Sequence, residues 1–220
     1  MPSYPEVSPG FGMPLEDAMT TQRAVRRLRP DPVDDETLLH VLRLATKAPT
    51  GGNMQGWEFV AVRDPDVKHA LARLNRMAWS VAKRVYRGRA RGDVKAARML
   101  EAVQWQADHF EDAPVIVVAC LHGRPWPTRM GRTSYYGSIY PAVQNLLLAA
   151  RSIGLGAALT TLPLWNTSLA RRTLNLPRGV TPLAVVPLGW PMRGGYGPTT
   201  RRPVGELVHL DRFGNQPFRS

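Results

Sequence analysis

The chain has 220 residues, 44% hydrophobic and 21% charged, which suits one α/β domain with a sizeable core. Its formal charge is +12, and it carries a single cysteine, Cys120. One cysteine excludes an intrachain disulfide and a cysteine-based metal centre, and no apolar run approaches membrane-span length.

The charge fits a nucleic acid, an acidic membrane surface, or a phosphorylated cofactor or substrate. No helix-turn-helix, RNP-like or zinc-finger pattern accompanies it, so nucleic acid is not the expected partner. Met1 to Pro14 lacks the basic start and apolar stretch of a signal peptide, and the expected location is cytoplasmic.

Residues 1–14 hold four prolines and read as an extended, flexible tail. The remainder, 15–220, reads as one domain. A helical pattern runs from Leu15 to about Leu28. A second helix follows Asp34, its expected N-cap, with Leu38, Leu39, Val41, Leu42 and Ala45 on its apolar side. Pro49-Thr50-Gly51-Gly52 ends it.

Trp57 to Val62 is an expected strand, and Asp64-Pro65 opens the next helix. Met77 to Phe110 reads as mostly helical and basic, broken near Gly88 and Gly92. Lys83, Arg84, Arg87, Arg89, Arg91, Lys95 and Arg98 crowd it, with Asp93 among them. These cations fit either a solvated face or contact with an anionic partner.

Pro114 to Leu121 is continuously apolar and β-branched, a buried strand in which Cys120 is a small buried thiol. Gly123 to Gly131 is expected to be a loop. Pro141 to Ile153 is the most apolar helix, capped by Gly154. A third strand is expected at Gly156 to Leu162, a short helix at Thr167 to Leu174, and a fourth strand at Pro182 to Leu188. About 190–220 has little periodicity but retains Leu207, Val208, Leu210 and Phe213, which suggests an arm laid on a partner subunit. The fold class expected is α+β.

Several chemistries find no support. There is no phosphate loop of the G-x-x-x-x-G-K-[ST] type, no H-E-x-x-H and no G-x-S-x-G elbow. Gly154-Leu155-Gly156 follows a helix and enters a strand, the wrong order for a dinucleotide turn. His40, His69, His109, His122 and His209 are scattered without metal-ligand spacing.

Three ordered segments remain. They are Arg23-Ala24-Val25-Arg26-Arg27-Leu28, then Ala48-Pro49-Thr50-Gly51-Gly52-Asn53-Met54-Gln55-Gly56-Trp57, then Ala142-Val143-Gln144-Asn145-Leu146-Leu147-Leu148-Ala149-Ala150 with Gly154-Leu155-Gly156. Asp112-Ala113-Pro114 and Arg201-Arg202-Pro203-Val204-Gly205-Glu206 complete the set. Together they resemble the nitroreductase family over about Leu15 to Val208.

That resemblance implies a layered domain with a central, mostly antiparallel sheet flanked by helices. It implies FMN at the interface of a homodimer, NAD(P)H as electron donor, and a small-molecule acceptor such as a nitroaromatic or quinone, reduced in a ping-pong cycle. A non-catalytic FMN-sequestering protein of the same fold is the alternative. The cofactor-binding positions it implies are Arg23, Ala24, Arg26 and Arg201 toward the phosphate and ring edge. Pro49, Thr50, Gly51, Asn53 and Gln55 come from the other subunit, and the backbone of Thr160, Thr161 and Leu162 lies near the hydride-accepting face. The family's chemistry is carried by the flavin, with no catalytic side chain and no metal. Ala24 stands where the family has serine or threonine, and Gly56 where it has proline. Residues 77–132 correspond to a variable lid, whose basic residues favour NADPH over NADH and would also suit a deazaflavin donor.

Arginine suits such a site on physical grounds. Its planar fork makes paired charge-assisted bonds to phosphate. A cation at the ring edge where negative charge develops raises the flavin potential.

Overall fold

The computed structural model describes residues 12–90, 92–192 and 196–219. Most of the expected N-terminal tail therefore lies outside the described residues.

Four strands form an antiparallel sheet in the order β1-β2-β4-β3. They are β1 Trp57–Val62, β2 Val115–His122, β3 Gly156–Ala157 and β4 Val180–Gly189. Successive side chains of a strand point to opposite faces, and β2 is apolar on both. Val115, Val117, Ala119 and Leu121 face one layer, whereas Ile116, Val118 and Cys120 face the other.

The first layer is built on α2 Asp35–Ala45 and α6 Ile139–Ser152. Ile139, Val143 and Leu146 of α6 are fully buried there, each contributing about 1.5–3 kcal/mol by removal from water. Asp34 caps α2 by accepting from the Thr37 amide at 2.7 Å, and Leu39 lies on the exposed face of α2, not its apolar side. The second layer contains Leu71 and Leu74 of α3 Pro65–Arg89, Phe110, and Ala170 of α7 Thr167–Thr173. The result is an α+β sandwich of three layers.

Three expected boundaries move. The first helix, α1, spans only Leu15–Thr21. The threonine pair at its end is β-branched, and the next stretch finds better hydrogen bonds along the sheet. Val25 N–H donates to the Ala157 carbonyl (3.0 Å), Arg29 N–H to Trp190, and Leu28 bridges to Pro191.

The third strand is interrupted. Gly156 pairs with Gly189 and Ala157 with Leu188. The same register sets Ala158 opposite Pro187, which has no N–H to give. Pairing resumes at Thr160, which exchanges both backbone bonds with Val185. The expected strand stops before Leu162, which opens a turn over Leu162–Leu164.

The expected 123–131 loop is cut short by a helix, α5 Arg129–Gly137. Its cap is Thr128, whose side chain accepts from the Gly131 amide. In the basic region α3 runs through Gly88 to Arg89, and α4 Val94–Asp108 begins after a turn with Gly92 at φ +82°. Asp93, the acid among those cations, is the α4 cap. Among the described residues no helix is long and apolar enough to cross a membrane.

A divided candidate active site at the sheet edge

The extended stretch 22–29 runs beside β3 and the residues that follow β4, and it carries one half of the candidate site. Gly156 makes the approach possible: a Cβ there would sit 2.7 Å from Val25 Cγ1 and 2.8 Å from Leu28 Cδ2. Arg26 is half-buried. Burial pushes its pKa below the ordinary arginine value, and no carboxylate lies within ion-pair distance of it among the described residues. A desolvated cation without a counterion is costly, so the position suits an anion supplied from outside the chain.

Arg23 and Ala24 are exposed beside it. The segment that carries Arg201 runs back to the same corner. Thr199 N–H donates to Thr20 O at 2.9 Å, and a Cβ on Gly197 would lie 3.9 Å from an Arg23 terminal nitrogen. Arg201 itself is exposed and donates to its neighbour's carbonyl, Thr200 O. Arg151 binds Thr21 Oγ1 at 2.9 Å and lies 3.9 Å from the Tyr196 ring centre. Burial pushes the Tyr196 hydroxyl up to about 12, against the opposing effect of Arg151. Thr160 to Leu162 continue from β3, the strand that anchors Val25, with Leu162 N–H held by Thr160 Oγ1 at 3.2 Å.

The Pro49–Gln55 turn forms a second group. Gly52, Asn53 and Gln55 all have left-handed φ (60°, 54° and 48°), a conformation Asn tolerates better than most residues. Gln55 N–H donates to Thr50 Oγ1, and Gln55 Nε2 to Asn53 Oδ1. The turn docks on α5. Gly51 N–H donates to Ser138 Oγ, and a Cβ on Gly51 would strike Ser134 Oγ. Trp57 is half-buried below, with its indole N–H on Ser138 O at 3.0 Å.

A cavity of about 480 Å³ opens beside this turn. Thr50, Gly51, Met54, Trp126, Met130 and Tyr135 are among its lining residues, whereas Arg26 and Thr160 are not. The residues that the resemblance groups thus fall into two sets: Arg23, Ala24, Arg26, Arg201 and Thr160–Leu162 at one place, Pro49–Gln55 at another. Trp126, Met130 and Tyr135 went unmarked in the sequence. The signal that could have found them is the Thr128 cap within a Pro- and Arg-rich stretch.

A second cavity, about 640 Å³, lies between α3 and α4. Lys83 and Arg87 line it together with Arg27, whose guanidinium sits 5.9 Å from the Trp105 ring centre. On α6, Gln144 is exposed and Asn145 half-buried in the single chain.

A three-layer α+β domain with a cation-rich segment along the β3 edge and a separate turn and cavity on the β1–β2 side is the class that fold and candidate site define. The chain belongs to the nitroreductase family, whose sequence profile matches residues 19–190. It is 30% identical to 5,6-dimethylbenzimidazole synthase of Rhodospirillum rubrum over 228 residues, covering 99% of this chain and 97% of that one. It is 29% identical to iodotyrosine deiodinase 1 of Rattus norvegicus over 198 residues, covering 87% of this chain and 67% of the deiodinase. It therefore spans about two thirds of that relative's length. The NADPH:FMN oxidoreductase from Vibrio harveyi complexed with NAD+ shares the fold with a TM-score of 0.68 and 18% identity, over 91% of this chain and 78% of that one.

Proposed function

We propose that the protein is an FMN-dependent oxidoreductase that oxidises NAD(P)H and reduces a conjugated electrophilic acceptor, and that a homodimer is its working unit. The observation that carries this reading is Arg26, a half-buried guanidinium without a carboxylate partner among the described residues, fixed beside the end of the sheet. FMN offers two anions that fit such a cation: its phosphate, and the ring edge on which charge grows during reduction.

In this reading Arg26 meets the ring edge, while Arg23 and Arg201 take the phosphate with only backbone help from Ala24. Thr160, Thr161 and Leu162 present main chain to the ring. Pro49, Thr50, Gly51, Asn53 and Gln55 of a second copy close the site. Bound FMN supplies the hydride-accepting and hydride-donating centre that no side chain provides. The chain's own work is to hold that group, favour its reduced anion through Arg26 and keep water away. Donor and acceptor then use one position in turn, and no dedicated acid or base is needed.

Dimerisation is supported by what the single chain leaves uncovered. Phe213 is 93% exposed and Phe218 60%, both on the C-terminal arm. The arm bonds mainly to itself, through Gln216 Nε2 to Glu206 O and Leu210 N–H to Asn215 O. Lys83 and Arg87, gathered with Arg27 in the α3–α4 cavity against Glu101 and Asp108, leave its lining net basic and favour NADPH as donor. Relatives named as a synthase and a deiodinase leave the acceptor defined by class alone.

An absorbance scan of the purified protein tests the reading, repeated without oxygen after adding NADPH or NADH. A yellow protein that bleaches, faster with NADPH, is expected. Persistent yellow would favour a flavin-sequestering protein, and a colourless protein that takes up no FMN would sink the proposal.

A further inference from the structure

We propose that the cavity beside the Thr50–Gln55 turn is the acceptor pocket, that Trp126 is its stacking wall, and that it takes flat aromatic anions. The inference rests on the reading above, in which that turn closes the flavin site of a second copy.

The cavity has the size of a small-molecule site, which is usually about 300–1,000 Å³. One wall is the turn with Met54, and the other is the end of β2 and the loop through Thr128 with the start of α5. Trp126 is 78% exposed, and Met130 80%. Yet the backbone beneath Trp126 is tightly seated. A Cβ on Gly131 would lie 2.5 Å from Trp126 Cβ and 3.0 Å from its carbonyl oxygen. Arg132 donates to Pro127 O at 3.2 Å, and the Tyr135 hydroxyl reaches both Leu121 O and Gly123 O. An indole held out on a fixed support is pre-organised to stack on a flat ring at little entropic cost.

Charge chooses the ligand. No carboxylate lines the cavity, whereas Arg124 and His122 do. Arg124 has no carboxylate within ion-pair distance among the described residues, and His122 only a loose contact with Glu58 at 3.9 Å. The competing occupant is the C-terminal arm of a second copy, which offers Phe213 and Phe218. Residues 201–219 carry four arginines against two acids, a like charge to Arg124, so the arm is the poorer fit.

The test uses FMN-loaded protein and 2-naphthoate, a flat anion that cannot be reduced, with 2-naphthamide as its neutral counterpart. Binding is read by the shift of the flavin band and by titration calorimetry. Trp126→Ala should weaken 2-naphthoate binding about three- to tenfold, and Trp126→Phe should restore most of it. Arg124→Gln should erase the preference for the carboxylate over the amide. Flavin content and sedimentation should match the parent in all three. Unchanged affinity in Trp126→Ala overturns the proposal, and so does its dissociation into monomers, which would make the cavity a subunit contact. Should the protein take up no FMN, the reading above fails, while weaker 2-naphthoate binding by calorimetry in colourless Trp126→Ala than in the colourless parent would still uphold the pocket.

Discussion

The Val25 amide donates to the Ala157 carbonyl over 3.0 Å, and beside that bond the Val25 and Leu28 side chains leave room only for the hydrogen of Gly156. This contact carries the basic segment onto the sheet edge and so sets where Arg26 stands. Gly156→Ala should lower stability by about 1–3 kcal/mol, because Val25 and Leu28 must both retreat from the new methyl group. Chemical denaturation measures this, and FMN uptake should fall with it. Unchanged stability together with unchanged uptake would show that the segment adapts freely.

Arg26→Gln probes the charge and not the packing. Losing a charge-assisted bond costs about 1.5–3 kcal/mol, which is a 10- to 150-fold weaker FMN complex. If Arg26 faces the ring edge, the reduced anion suffers more than the oxidised ring, and the midpoint potential falls. Each 1.4 kcal/mol of that difference is about 30 mV for a two-electron couple. Spectroelectrochemical titration reads the sign: a higher potential in the variant would place Arg26 away from the ring.

The contacts made by Val25 and Ala157 also mark how far the sequence could be read. The continuously apolar run of β2 and the caps Asp34 and Asp64 were legible, because local chemistry alone decides them. The end of α1 was not: helical spacing continues toward Leu28, and only Ala157, far along the chain, takes the Val25 amide. Pro187 interrupts the β3 pairing from across the sheet, which no window around Gly156 contains. The basic positions Arg23, Arg26 and Arg201 were visible as a pattern. Their partition from the Pro49–Gln55 turn needed three dimensions, and Trp126 carried no motif at all.

Cys120 is fully buried, and burial pushes its thiol up to about 12, with Glu58 adding to the effect. The thiolate is the reactive form, so the native protein should not react with a disulfide reagent at pH 8. A thiol count should give none before denaturation and one after it. Rapid native reaction would mean that the central strands open readily.

Glu111 joins His69 (2.6 Å) and Arg76 (3.1 Å). Burial pushes its carboxyl up, but the bonds from His69 and Arg76 together outweigh this and hold it below the usual glutamate range. A carboxyl with a lowered folded pKa adds stability that is complete above the unfolded value of about 4.3. That stability is lost as pH falls through the folded value. Glu111→Gln should therefore cost about 1 kcal/mol at pH 7, a modest sum because the partners are partly solvated. The cost should vanish on acidification. Melting curves from pH 7 to pH 3 measure it, and a penalty that persists at pH 3 would assign the effect to packing.

The C-terminal arm separates folding from assembly. Among the described residues the hydrophobic core ends at Leu188, and every large hydrophobic group from Val204 onward is exposed. Its closest packing is internal: Gly205 lies against Phe218 O, where a Cβ could not fit. Deleting residues 207–220 should leave helix content and the thermal transition of the chain nearly intact. If the arm lies on a second copy, the same deletion exposes the surface it covered and removes the apolar contacts of Leu207, Leu210, Phe213 and Phe218. At about 25 cal/mol per Å² of apolar area, even a few hundred Å² amounts to several kcal/mol of association energy. Sedimentation should then show monomers at concentrations where the full chain is dimeric, with FMN lost as the second half of each site departs. A shortened chain that remains dimeric and yellow would remove the arm from the interface while leaving the Pro49–Gln55 turn to close the site.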